Sequence, residues 1–275
     1  MSDAETIRRH YAAPDIAEKI LAILARAGKD TRRLDAADLV PADQFHTRGL
    51  AATEELAALA GFRAGETVLD LGSGLGGPAR WIVSHHRVTV TGIDLSADLC
   101  RAARLLTERC GLADRARFIE GDATALPFPD RSFDLVWTQH VAANVADRPK
   151  LYREAARVLK PGGRFVMHDI FEGPGGALLL PVPWASGPGM SFLRSAAAID
   201  EILRDCGFEQ REWHDVTGAT RAWLAALADR PAPNANSLGP AIMLGADFAL
   251  KFATMRRNFE EGRIEAHMVA CRRGA

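Results

Sequence analysis

The segment from Val68 to Pro78 constrains the fold of this chain more than any other segment, and it reads Val-Leu-Asp-Leu-Gly-Ser-Gly-Leu-Gly-Gly-Pro. A short apolar strand containing Asp70 opens into a glycine-rich turn that leads directly into a helix. Glycine lets the backbone turn tightly and lets a ligand approach it, and the first N–H groups of the helix face that ligand. The segment therefore predicts a ligand site that includes Asp70, Gly72, Ser73, Gly74 and Gly76.

A second acidic residue follows at the distance expected for one strand–helix–strand unit. Residues 88–94 form a β-branched strand that ends in Asp94, 24 residues after Asp70. A carboxylate at this position can accept hydrogen bonds from both hydroxyls of a ribose. Asp94, with Leu95 after it, is therefore a candidate cofactor contact. NAD and S-adenosylmethionine both contain such a ribose, so this acid does not distinguish between them.

The next strands carry further ordered motifs. Gly121-Asp122-Ala123 ends a strand, Leu126-Pro127-Phe128 and Phe133-Asp134-Leu135-Val136 follow it, and Pro161-Gly162-Gly163 closes a later helix. Together these motifs resemble the class I S-adenosylmethionine-dependent methyltransferases over residues 65–170. The resemblance implies that Asp122 holds the exocyclic amine of adenine, with Ala123 beside it. It also favours S-adenosylmethionine over NAD as the cofactor.

A narrower resemblance lies upstream of the core. The segment 43–49, Asp-Gln-Phe-His-Thr-Arg-Gly, is followed by a helix and is similar to the entry segment of bacterial glycine, sarcosine and dimethylglycine N-methyltransferases. Quinone C-methyltransferases and natural-product methyltransferases share the same core. The resemblance therefore implies a small-molecule acceptor without naming it.

Strands and helices alternate through the core, which predicts an α/β, doubly wound, Rossmann-like sheet. We expect a mostly parallel sheet with a final antiparallel strand, and ligands bind beyond the carboxyl ends of such strands. Residues 1–60 are expected to form an N-terminal helical cap, with helices at 16–27 and at 53–60, the latter capped by Thr53. Residues 61–275 are expected to form the methyltransferase core.

Two insertions interrupt the predicted core, at 171–195 and at 218–262. Within the first, residues 173–193 contain no charged side chain, five glycines and four prolines. Loops of this length are uncommon unless they act as lids or binding loops. We interpret it as a mobile wall of the acceptor pocket, with a buried connector as the alternative. The second insertion is expected to be helical cover with a break at 231–234.

Methyl transfer from a sulfonium requires alignment of donor and acceptor and the exclusion of water, and a base only where the acceptor must lose a proton. The candidate catalytic residues are His46, His140 and Asn144. Gln139, which precedes His140, is a candidate contact of the cofactor and can also face the acceptor. His168 is expected to be structural. Arg48 or Arg194 is the candidate clamp for an acceptor carboxylate.

The composition excludes several other classes of function. With a net charge of −1, the chain has no excess of positive charge with which to bind the phosphates of a nucleic acid. The four cysteines are scattered, so we expect reduced thiols and no metal site. No apolar run reaches the length of a membrane helix, and the N-terminus does not resemble a signal peptide. These features predict a cytoplasmic protein with no membrane partner, and they leave the oligomeric state open.

The sequence thus predicts transfer of a methyl group from S-adenosylmethionine to a small molecule, at nitrogen. The first alternative is C- or O-methylation of a quinone or natural product, which the uncharged insertion at 173–193 keeps open. The second is a cofactor-binding module without catalysis, because a fold does not guarantee a chemistry.

Overall fold

A computed structural model of the chain describes residues 3–228 and 238–274. Its centre is a seven-stranded sheet with the strand order β3-β2-β1-β4-β5-β7-β6. The strands are β1 (Thr67–Leu71), β2 (Thr89–Asp94), β3 (Ala116–Glu120), β4 (Phe133–Gln139), β5 (Leu159–Glu172), β6 (Phe208–Asp215) and β7 (Ile264–Arg273).

Helices precede the sheet and cover both of its faces. The helices before the sheet are α1 (Asp3–His10), α2 (Ile16–Arg26), α3 (Ala36–Asp43) and α4 (Leu50–Ala60). Those within the core are α5 (Gly77–His85), α6 (Ala97–Arg109), α7 (Arg148–Val158), α8 (Ala196–Asp205), α9 (Thr217–Ala228), α10 (Ala241–Leu244) and α11 (Phe248–Glu260).

The strand order explains where the ligand site lies. β1 pairs in parallel with β2 on one side and with β4 on the other. From β1 the chain adds β2 and β3 on one side of the sheet, and it then returns to add β4 and β5 on the other side. Ligands bind at such a switch point, beyond the carboxyl ends of the strands. β7 lies antiparallel between β5 and β6, so the predicted fold class is confirmed.

β1 and β4, which lie side by side near the centre of the sheet, are mostly apolar because helices cover both faces of the sheet. β1 has four buried residues in succession, and Leu135, Val136 and Trp137 of β4 are completely buried. This packing fixes the strand ends from which the site residues project.

The helices before the sheet differ from the prediction in two ways. α1 and α3 were not predicted, because α1 is short and strongly charged and α3 contains Pro41. The assignment of Thr53 as a helix N-cap is wrong. α4 begins at Leu50 after Gly49, whose φ of 52° suits glycine, and Thr53 is completely buried within the helix.

A buried ion pair connects α3 to the core. Arg80 on α5 is completely buried, and its Nη2 lies 2.7 Å from Oδ2 of Asp43. The same guanidinium donates to the carbonyl oxygen of Leu75 and to Oγ1 of Thr107. A Cβ on Gly77 would lie 2.2 Å from the Asp43 carbonyl oxygen, so the end of α3 sits directly against the start of α5.

The first insertion is packed against the core rather than held away from it. Val182, Trp184 and Ala185 are buried in one apolar cluster with Phe259 of α11. The described part of the second insertion contains α9, α10 and α11, while the break predicted at 231–234 lies outside the described residues. Among the described residues, no helix is long and apolar enough to span a bilayer.

Candidate active site

The glycine turn after β1 adopts a conformation that other residues tolerate poorly. Gly72 and Gly74 have φ values of 66° and 51°. A Cβ on Gly72 would lie 2.2 Å from the Val141 side chain, so a larger residue there would collide with the segment after β4. The turn therefore needs glycine both for its backbone angles and for its close packing.

Asp94 at the end of β2 holds this turn in place. Its Oδ2 accepts a hydrogen bond from the Gly74 N–H at 2.9 Å, and its Oδ1 accepts one from the Ser96 N–H at the same distance. Burial raises the pKa of the Asp94 carboxyl, while these two backbone donors act in the opposite direction. Each oxygen keeps a further acceptor site, which leaves the carboxylate able to bind hydroxyl groups.

Buried polar atoms without partners surround the turn. Asp70 Oδ2 and Ser73 Oγ are both buried without a hydrogen-bond partner. Burial, with a contribution from the nearby Asp94, raises the pKa of Asp70 well above its usual range. Because unpaired buried polar atoms are costly, their concentration around one turn fits a site for a polar cofactor.

A cavity of about 170 Å³ opens at these strand ends and joins two groups of residues. At one end lies the acidic cradle, by which we mean the glycine turn with Asp94 and Asp122. The Asp122 carboxylate accepts a hydrogen bond from the Thr124 N–H at 2.7 Å. At the other end lies the histidine cluster, defined as His46, His140 and His168, of which the first two line the cavity.

Twelve of the thirteen predicted site residues line this cavity: Asp70, Gly72, Ser73, Gly74, Asp94, Leu95, Asp122, Ala123 and Gln139 from the cofactor set, and His46, His140 and Asn144 from the catalytic set. Gly76 does not line it. Gly76 is the N-cap of α5 with a φ of 78°, and a Cβ there would lie 2.6 Å from the Phe118 ring. Glycine at position 76 therefore leaves room for the Phe118 ring to pack behind the turn.

The three imidazoles of the histidine cluster are in mutual contact. The rings of His140 and His168 have centroids 4.7 Å apart, and His46 lies about 6 Å from both (6.0 and 5.9 Å). Thr47 Oγ1 lies 3.0 Å from His140 Nε2 and 3.4 Å from His168 Nε2. Within the described chain, these side chains are not arranged as ligands for a metal ion.

Burial keeps these imidazoles neutral. It lowers the pKa of His46 to about 4, and it lowers the pKa values of His140 and His168 well below the usual range. The mutual proximity of the rings adds to this effect for His140 and His168. At neutral pH the cluster therefore presents uncharged ring nitrogens that can accept a proton or a hydrogen bond.

The backbone of His140 is strained. Its φ of 55° lies in the left-handed region, which non-glycine residues rarely adopt. Its N–H donates to the carbonyl oxygen of His168 at 2.8 Å, which helps to hold this conformation. Strain of this kind concentrates at functional sites, because the surrounding structure must maintain it.

Polar side chains from the end of α3, from α4 and from β4 form a hydrogen-bonded group beside His46. His46 Nε2 lies 3.2 Å from Gln44 Oε1, and Thr53 Oγ1 donates to the same oxygen at 2.7 Å. Gln139 Oε1 accepts a hydrogen bond from the Trp137 indole at 3.1 Å, while its Nε2 is buried without a partner. The Gln139 amide nitrogen is thus a free donor at the cavity wall.

Asn144 links two segments that cover the cavity. Its Oδ1 accepts a hydrogen bond from the Tyr11 hydroxyl at 3.0 Å. Its Nδ2 donates to the carbonyl oxygens of Trp184 and Met190, each at 2.8 Å. All polar atoms of this side chain are thus engaged in holding the end of α1 and the first insertion together.

Sequence reasoning missed Tyr11 and Thr47 as parts of this site. Tyr11 lines the cavity, but a single tyrosine after a short charged helix carries no pattern that indicates this position. The two arginines suggested as carboxylate clamps are placed elsewhere. Arg48 pairs with Glu55, and Arg194 is exposed.

The comparisons with known proteins agree with this geometry. A family model described as a methyltransferase domain matches residues 69–167. The 27-O-demethylrifamycin SV methyltransferase of Amycolatopsis mediterranei is 34% identical over 65% of this chain and 66% of its own length. The sarcosine/dimethylglycine N-methyltransferase of Aphanothece halophytica is 34% identical over 56% of each chain.

Residues 69–167 of this chain form a methyltransferase domain. The predicted family and cofactor are therefore confirmed. The match to the two curated relatives spans two thirds of their length or less. Among solved structures, the geranyl diphosphate C-methyltransferase of Streptomyces coelicolor, in complex with S-adenosyl-L-homocysteine, superimposes with a TM-score of 0.71. It is 19% identical and the alignment covers 99% of this chain and 98% of that one, which shows a shared fold.

Proposed function

We propose that this protein transfers a methyl group from S-adenosylmethionine to a small-molecule acceptor, with nitrogen as the first candidate acceptor atom. One observation carries the proposal: a cradle suited to adenosine and a cluster of uncharged imidazoles line the same cavity. When bound, S-adenosylmethionine supplies an electrophilic methyl group on a sulfonium. The rest of the chemistry falls to the residues of the cavity.

In this proposal, Asp94 binds the ribose hydroxyls and Asp122 binds the adenine amine. Asp70 and Ser73, whose polar atoms have no partner in the protein, hold the polar part of the methionine moiety. The glycine turn provides the close backbone approach that this cofactor needs. These contacts explain why the chain keeps several unpaired acceptors in one buried place.

The acceptor end suits a neutral amine. An amine attacks through its lone pair, and an ammonium ion has no lone pair to donate. The uncharged His140 ring can accept a hydrogen bond from the N–H group of such an amine. Because it carries no negative charge, it does not favour the ammonium form of the acceptor.

A hydroxyl acceptor is the second candidate, and the neutral state of His140 favours it as well. A hydroxyl group must lose its proton during transfer, so it needs an adjacent base that is unprotonated at neutral pH. Phe45, Trp184 and Met243, which also line the cavity, would suit the apolar body of such an acceptor.

Two measurements test the proposal in sequence. Calorimetry should show binding of S-adenosyl-L-homocysteine and no binding of NAD, and the reverse result would overturn the cofactor assignment. Cofactor carrying a labelled methyl group is then incubated with separate pools of amines, phenols and alcohols. Label in the amine pool supports nitrogen, and label in the hydroxyl pools supports the second candidate. Binding without transfer to any pool or to a metabolite extract would favour a module without catalysis.

A further inference from the structure

A smaller cavity adjoins the acceptor end of the main one. It is lined by His10, Tyr11, Phe45, Met243 and Lys251, with Ala12 and Leu244. Tyr11, Phe45 and Met243 line both cavities, so one wall is shared between them. The smaller cavity has a volume of about 20 Å³, and these three side chains lie between it and the acceptor end of the main cavity.

Lys251 is an unusual lining residue because it is buried. It lies on α11 and is only 6% exposed. In the described chain it forms neither a hydrogen bond nor an ion pair. The nearest acid before it in the sequence, Asp247, directly precedes α11 and is exposed. Lysine is almost never buried without a partner, because removing an ammonium group from water is costly.

The described residues that line the smaller cavity do not supply a negative charge. Of the residues that line the smaller cavity, the other ionisable ones are His10 and Tyr11. His10 Nε2 lies 3.0 Å from the carbonyl oxygen of Pro183. Burial is the main cause of a lowered pKa at His10, and the charge of Lys251 acts in the same direction. Among the described residues that line the smaller cavity, Lys251 is thus a cation without an anionic partner.

We propose that Lys251 binds an anionic group of the acceptor, a carboxylate or a phosphate, at the end of the molecule remote from the atom that is methylated. This inference rests on the proposed function, since it describes the acceptor of that same site. The acceptor is then a molecule with two ends, one that meets the histidine cluster and one that carries negative charge. Lys251 takes the role that the sequence had assigned to Arg48 or Arg194.

The proposal also explains why a buried lysine is tolerated here. A cation that has no partner in the free protein destabilises the fold, and a ligand anion removes that penalty on binding. Residues kept for binding often lower stability in this way. Replacing Lys251 by methionine, which preserves most of its length, should therefore raise the melting temperature of the ligand-free protein.

The experiment measures anion binding directly, without turnover. The full-length protein, saturated with S-adenosyl-L-homocysteine, is titrated with sodium phosphate or sodium acetate at constant ionic strength set with sodium chloride. Its melting temperature is followed. We expect at least one of the two anions to stabilise the wild type more than chloride does. Phosphate alone would indicate a phosphate-bearing acceptor, and acetate alone a carboxylate.

Three variants complete the test. Lys251→Met should abolish the anion effect, Lys251→Arg should retain most of it, and Lys19→Met, at an exposed lysine on α2, should leave it unchanged. The proposal is overturned if the wild type responds to neither anion beyond chloride. It is also overturned if Lys251→Met responds like the wild type, or if that variant lowers the melting temperature of the free protein. Failure to bind S-adenosyl-L-homocysteine would instead count against the proposed function, and the titration can then be read in the free protein.

Discussion

The two ends of the cavity are built in different ways. The acidic cradle comes from one stretch, residues 70–123, in which each acid lies at or just after the end of a strand. The acceptor end is assembled from six separate segments: the end of α1, the link between α3 and α4, the residues after β4, β5, the first insertion and α10. Local sequence thus specifies the cofactor, and tertiary packing specifies the acceptor.

The two ends also differ in their electrostatics. The cradle contains carboxyl groups whose pKa values are raised by burial, whereas the cluster contains imidazoles whose pKa values are lowered by it. In both cases burial disfavours the charged form. Substitutions at the two ends should therefore separate cofactor binding from methyl transfer, and four predictions test this separation.

The largest effect is expected at His140. In His140→Gln, methyl transfer should slow by about 10²-fold or more, because the ring proposed to contact and orient the acceptor is lost. Binding of S-adenosyl-L-homocysteine should change little, which calorimetry can establish. His85→Gln is the matched control. His85 is exposed, and its hydrogen bond and its ring contact are both with Trp81 on the same helix. Equal losses of cofactor affinity and rate in His140→Gln would contradict the separation.

The next effect concerns the cradle. Asp94→Ala removes the acceptor of the ribose hydroxyls and the partner of Gly74, and hydrogen bonds to a charged group contribute about 1.5–3 kcal/mol each. The affinity for S-adenosyl-L-homocysteine should fall at least about tenfold. Glu120→Ala, at an exposed carboxylate on the neighbouring strand, serves as the control. Unchanged affinity in Asp94→Ala would remove this residue from the cradle.

A third prediction concerns pH. Because the folded-state pKa of His140 is lowered, the unfolded chain takes up a proton at this residue below about pH 6.5 while the folded protein does not. His140 therefore reduces stability progressively as the pH falls below that value. The carboxyls of Asp70 and Asp94, whose pKa values are raised, act in the opposite direction.

The measurement is therefore a difference between two proteins. We compare the free energy of unfolding of His140→Gln with that of the wild type. As the pH falls below 6.5, the difference should change in favour of the variant by at most about 1.4 kcal/mol for each pH unit. Denaturant titrations at several pH values between 5 and 7.5 determine it. A difference that does not change with pH would show that His140 titrates normally in the folded state.

The smallest effect is expected at the cover of the acceptor end. Tyr11→Phe removes one hydrogen bond to Asn144, a loss of about 1 kcal/mol. Amide hydrogens in α1 should then exchange faster, and kcat/KM for the acceptor should fall a few-fold. Tyr152→Phe is the control, since that hydroxyl contacts Met167 in the core. If α1 keeps its protection in Tyr11→Phe, this bond does not hold the cover closed.

The contrast between the two ends also explains what the sequence predicted. Asp94 lies where it was expected because a strand, a helix and a second strand fix its distance from the glycine turn. By contrast, Asn144 was expected to contact the acceptor, while its side chain is occupied by Tyr11, Trp184 and Met190. Those partners lie 133, 40 and 46 residues away, so no local pattern encodes them.

Helix boundaries show the same limit. Thr53 has the residue type of an N-cap, but the left-handed conformation of Arg48 and the positive φ of Gly49 let α4 begin earlier. Lys251 lies in an insertion where neither spacing nor motif marks it. Its position at the cavity depends on how α11 packs against the sheet, which is a property of the complete fold.

The buried pair between Asp43 and Arg80 has a consequence for how the molecule unfolds. Separating α3 from the core would remove Asp43 and leave the Arg80 guanidinium buried without its partner, and breaking a buried pair of this kind costs about 3–5 kcal/mol. Detachment of α3 alone is therefore unfavourable unless the core opens with it. Residues 36–43 and the strands beneath them should melt in a single cooperative transition, so that the segment entering the active site persists for as long as the sheet does.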